Sequence, residues 1–147
     1  MANFTQMSKR FQSLNPEKIY LITMSNQTEE IIEQNREQMM EGKTSKGKKI
    51  KPKYKSKVYA QKKKRLNSKP GAGTPDLKLS GDFHASISLK KKGTDFVYET
   101  KLGYAQKYIV PKYDDIFGLE PKRKKIFNNK TFKPEYVRKI KQHLQIL

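Results

Sequence analysis

The chain has 147 residues, room for one domain of ordinary size and too little for two with large separate cores. Its 33 Lys and Arg stand against 14 Asp and Glu, a formal charge of +19, and only 34% of residues are apolar; a modest core and a polyanionic neighbour are expected. With no cysteine, a disulfide framework, a thiolate-held metal and a thiol nucleophile are excluded.

Residues 1–41 carry a net charge of −2. Met1 to Ser13 has no hydrophobic core of a signal peptide, so secretion is not expected. Over Glu17 to Met24, β-branched and aromatic residues compete with a proline suited to a first helical turn, and the reading favours helix. Asn26 and Glu29 have capping-box spacing, and Ile31, Ile32, Asn35 and Met39 recur with helical period. A helix from about 27 to 40, stopped by Gly42, follows.

Residues 42–75 hold thirteen lysines and arginines and no carboxylate. The stretch is also rich in Gly, Ser and Pro, and by itself it buries too little apolar surface to offset its ordering entropy. It reads as a flexible basic arm inserted into a single domain, ending in the turn-rich Pro70-Gly-Ala-Gly-Thr-Pro75 hinge. Beyond it the charge is +8. Phe83, Ala85, Ile87 and Leu89 alternate with polar residues, which predicts a strand carrying His84 on its solvent face. A loop around Gly93 and a second strand over 96–100 complete a hairpin. An aromatic segment runs from Tyr104 to Tyr113, and Pro121 opens a short basic helix. The last element is a helix with Pro134 in its first turn and a stripe of Val137, Ile140, Leu144 and Leu147. The sum is an α+β fold: N-terminal helix, basic excursion, small antiparallel sheet, and a C-terminal helix packed on the sheet. Phe83, Ile87, Leu89, Ile140 and Leu144 are its expected core.

The sequence argues against catalysis and against any cofactor or metal. His84 and His143 stand apart with no ligand spacing around them, and Asp114-Asp115 reads as a turn cap. The glycine-rich stretches lack a phosphate-loop pattern, and no serine occupies a nucleophile elbow. No apolar run approaches the ~20 residues of a membrane span.

The basic arm carries the binding expectation. Lys43, Lys46, Lys48, Lys49, Lys51, Lys53, Lys55, Lys57, Lys62, Lys63, Lys64, Arg65 and Lys69 interleave with Tyr54 and Tyr59. Lysines meet phosphates as point charges while rings offer stacking surfaces. These residues are expected to face DNA or a partner, and any DNA binding would be blind to base sequence.

Four blocks are similar to segments of one family. Gln38-Met-Met-Glu-Gly42 with Ser45-Lys-Gly47 and Tyr54 resembles the stretch closing the first helix of tailed-bacteriophage virion-morphogenesis or tail-completion proteins. Thr74 to Phe83, leading into Ser86-Ile-Ser-Leu89, resembles the entry to their sheet. Tyr104-Ala-Gln-Lys-Tyr108 and Ile116-Phe-Gly-Leu119 resemble their later blocks. The resemblance spans residues 27–120 in the expected order. It implies a structural virion protein of the head–tail neck, assembled in the host cytoplasm as a homo-oligomeric ring against portal, neck or tail proteins, with packaged DNA nearby. Gly42, Gly47, Gly81 and Gly118 would then allow tight backbone turns. The alternative is a basic accessory protein binding nucleic acid through residues 42–75.

Overall fold

The computed structural model describes residues 3–145. In chain order these form α1 (Phe4–Ser13), α2 (Pro16–Asn26), α3 (Thr28–Met40), α4 (Lys57–Leu66), α5 (Asp82–Ser86), β1 (Ile87–Lys92), β2 (Asp95–Thr100), α6 (Pro121–Phe127) and α7 (Lys133–Leu144). The mixed α+β class is as expected. The chain divides into two compact units, one of residues up to Gln27 together with those from Lys125 onward, the other of Thr28–Lys124.

In the first unit polar caps set the helix starts. Asn3 and Gln6 form a reciprocal capping box, with Gln6 N donating to Asn3 Oδ1 at 2.9 Å. Asn15 Oδ1 accepts from Lys18 N at 3.1 Å, and Pro16 occupies the first turn of α2. The helical reading of 17–24 is correct, and the helix continues to Asn26. Asn26 therefore closes α2 instead of capping the next helix. The C-terminal helix α7 lies against α1 and α2, so Ile140 and Leu144 belong to this unit and not to the expected core with Phe83, Ile87 and Leu89. Leu144 is buried and Ile140 half-buried, while Leu147 lies outside the described residues. The rings of Tyr20, Phe132 and Tyr136 follow one another at 5.4 and 5.5 Å between centroids. A π-helical turn over Asn128–Phe132 precedes α7. Pro134 accounts for it, because its ring would collide with the carbonyl of Lys130 in a regular α-helix.

The second unit is built on α3. Ile31, Ile32 and Met39 are buried along one face, with β1 against this helix. β1 and β2 pair antiparallel from Ile87↔Thr100 to Lys92↔Asp95, joined by Gly93 and Thr94. Gly93 has φ +65°, which the first central position of a Gly-X two-residue turn requires. A two-stranded sheet alone is marginal in water, so the helix behind it is what holds it. Phe83, Ile87, Leu89, Ala105, Ile109 and Ile116 complete this core.

The strand expected from Phe83 begins only at Ile87. Gly81, at φ +93°, turns the chain into the single turn α5, which places Phe83 and Ile87 one helical turn apart on the same side. Alternation and an i, i+4 pair coincide over so short a run. His84 is consequently not on a solvent face but 7% exposed.

Candidate interaction surface

Residues 42–75 have far more structure than their composition suggests. After α3, Gly42 turns the chain at φ +72°, and a Cβ there would fall 2.6 Å from Pro70 Cβ and 2.8 Å from Thr74 Cγ2. Residues 42–50 then fold back as a small tongue: Ile50 N donates to Gly42 O at 2.8 Å, and Thr44 N to Lys48 O at 2.7 Å. Ile50, the apolar residue among the lysines, is fully buried. The supposed hinge is packed in as well. Pro70, Thr74 and Pro75 are buried, and Gly73 O accepts from Tyr54 N at 2.9 Å.

Between these anchors Ser56 caps α4, accepting from Tyr59 N at 3.2 Å. One side of α4 faces the protein. Lys63 Nζ reaches the Asp76 carboxylate at 2.9 Å, with both side chains largely buried, and it also donates to the Lys78 carbonyl. Asn67, the C-cap, donates from Nδ2 to Met40 O at 2.8 Å and to Asp76 Oδ2 at 3.1 Å. Burial alone would raise the Asp76 pKa; the bonds from Lys63, Lys78 N and Asn67 outweigh it and hold the carboxyl below its usual range. Tyr59 packs edge-on against Tyr54 at 4.9 Å. Burial, with Asp76 nearby, pushes the Tyr54 hydroxyl pKa far up. The two expected stacking rings thus lie half-buried against each other.

Three of the thirteen basic residues have carboxylate partners: Lys63, Lys43 beside Glu41 and Glu120 at 3.8 and 3.9 Å, and Lys46 at 3.3 Å from Asp115. The other ten, Lys48, Lys49, Lys51, Lys53, Lys55, Lys57, Lys62, Lys64, Arg65 and Lys69, are exposed and have no ion pair among the described residues. The structure therefore separates one buried anchoring lysine from a solvent-facing set that composition treats as uniform.

Of the other glycines singled out earlier, Gly47 and Gly118 occupy tight places, whereas a Cβ at Gly81 would meet only Lys78 Cε at 3.8 Å. Gly47 (φ +77°) has Glu120 beside it, and Gly118 (φ +108°) has Ser45. Gly118 is also where the unit is tied together. Asn35 Nδ2 donates to Ile116 O and Gly118 O, each at 3.1 Å, and Gln38 Nε2 donates to Gly118 O at 2.9 Å. Gln38 Oε1 in turn accepts from Glu120 N at 2.8 Å, and Asp115 O from Ser45 N at 2.7 Å. Sequence reasoning assigned no role to the Gln38 amide, although polar residues inside an apolar helical period are a signal that buried bonds await them. His84 was also missed. Its Nε2–H donates to Asp76 O at 2.9 Å, and burial lowers its pKa.

Among the described residues no group of three or more His, Asp or Glu converges as a metal site would require, and no helix is long and apolar enough to cross a membrane. No protein-family model, curated protein or solved structure matches the chain.

Proposed function

We propose that this chain is a structural subunit of a tailed-bacteriophage neck or tail-completion ring, joining the portal region to the tail. The observation that carries the reading is the convergence of three of the four family-like blocks. Gln38 and Gly42 at the end of α3, Thr74 beside them, and Ile116 with Gly118 lie far apart in sequence. Yet the Gln38 amide binds Gly118 O at 2.9 Å, and Gly42 is closed in by Thr74 and Pro70. Blocks that resembled one family by order alone thus behave as parts of one packed unit. A subunit with a small core also gains most from burying surface against identical copies.

The test is mass photometry and negative-stain electron microscopy of the purified full-length chain, alone and with portal and tail proteins of a phage that encodes it. Closed rings of one stoichiometry, or its presence at the neck of virions, are the expected results. A strictly monomeric chain absent from virions would remove the proposal.

A further inference from the structure

We infer that the outward face of α4 is a seat for the phosphate backbone of double-stranded DNA. The inference goes beyond the ring reading and does not depend on it. On a helix, residues 57, 61 and 65 fall in one row, with residue 64 alongside. Here these are Lys57, Gln61, Arg65 and Lys64, all exposed and none ion-paired among the described residues. The row is about 12 Å long, the axial rise of three to four phosphates on one strand.

Three observations favour a polyanion over a folded acidic protein. The first is composition: protein interfaces are depleted of Lys and enriched in aromatic residues, whereas the exposed side of α4 is mostly Lys and Arg, with Val58 and Leu66 beside them, and its one tyrosine, Tyr59, is half-buried against Tyr54. Next, residues 42–75 offer no carboxylate, so the face has no sign pattern for a particular partner to match. Finally, α4 is fixed from behind by the buried Lys63–Asp76 pair and the Asn67 cap, so its cations are held on a formed helix and not on a loose chain. Such a surface binds through release of counterions, with little preference for base sequence.

The experiment titrates full-length protein against two 20-base-pair duplexes of unrelated sequence, by fluorescence anisotropy, from 50 to 300 mM salt. Wild type is compared with two triple variants: Lys57→Gln, Lys64→Gln, Arg65→Gln on α4, and Lys90→Gln, Lys91→Gln, Lys122→Gln elsewhere. All six are exposed, and circular dichroism checks that each variant folds. The expected result is equal affinity for the two duplexes, and a slope of log affinity against log salt that falls by about 2.7 for the α4 variant only. No duplex binding at 50 mM overturns the inference. Equal loss from both variants also overturns it, since net charge and not the face would then be responsible. An α4 variant that disrupts self-association while leaving the salt slope intact assigns the face to protein and equally overturns it.

Discussion

At the scale of single residues, space and protonation set the sharpest constraints. Gly42 and Gly71 both have positive φ, but a Cβ at Gly42 meets Pro70 and Thr74 while one at Gly71 meets nothing within 4 Å. Alanine at 71 carries only the backbone strain, about 1–2 kcal/mol. Alanine at 42 adds overpacking, for a total of about 2–5 kcal/mol. Urea denaturation of the two variants measures the difference, and equal losses would mean that the 42–70–74 contact is not tight. His84 makes a second prediction. Its burial lowers the folded pKa below the usual 6.5, outweighing the bond to the Asp76 carbonyl and the negative charge of Asp76, while Lys78 and Arg36 push the same way as burial. On acidification the unfolded chain then takes up its proton first. The contribution is whole above about pH 6.5 and is lost as pH falls from there to the folded pKa. Asp76, with a lowered pKa, adds a further loss at lower pH, beginning below the unfolded carboxyl value near 4. Thermal melts at pH 7.5 and 5.5 are expected to fall apart more in wild type than in His84→Gln; an identical drop in both would place the titration elsewhere.

At the scale of elements, α4 depends on one ion pair. Replacing Lys63 by Met keeps much of the side-chain volume but leaves Asp76, 3% exposed in its side chain, without its cation. Breaking a buried pair from one side costs about 3–5 kcal/mol. Denaturant unfolding of Lys63→Met is expected to show that loss, whereas Lys64→Met, on the exposed row, stays within about 0.5 kcal/mol of wild type. Retention of full stability in Lys63→Met would mean that α4 is held by its caps and the Tyr54–Tyr59 contact instead. This element also marks how far the sequence could be read. α3, the hairpin and the three proline-led helices were legible, because helical period, turn residues and first-turn prolines agree there, although the cap expected for α3 at Asn26 belongs to α2. α4 was not. Its lysines look alike in composition, and only the carboxylate at 76, thirteen residues away, makes one of them an anchor. α5 was hidden for another reason, since Phe83 to Leu89 satisfies both a period of two and a one-turn helix. The Gly118 bonds formed by Asn35 and Gln38 join residues about eighty positions apart, and no local pattern reports such a pairing.

At the scale of the whole molecule, the charge of +19 gives the two proposed associations opposite salt dependence. Copies brought side by side repel one another, and salt screens that repulsion. DNA binding instead releases counterions and weakens as salt rises. Sedimentation velocity from 50 to 300 mM salt is therefore expected to show more of the ring as salt increases, over the range in which duplex affinity falls. A ring that dissociates with salt would mean that its contacts are made by the exposed cations themselves.

The division of labour within residues 42–75 has an evolutionary consequence. What the fold requires of this stretch rests on Gly42, Ile50, Lys63, Asn67, Pro70 and Thr74. The ten unpaired cations make no ion pair on which that fold depends. Their number and placement can therefore drift, be thinned, or be exchanged for other polar residues at little cost to stability. Selection can tune how strongly the surface attracts an anionic neighbour while the backbone that presents it stays the same.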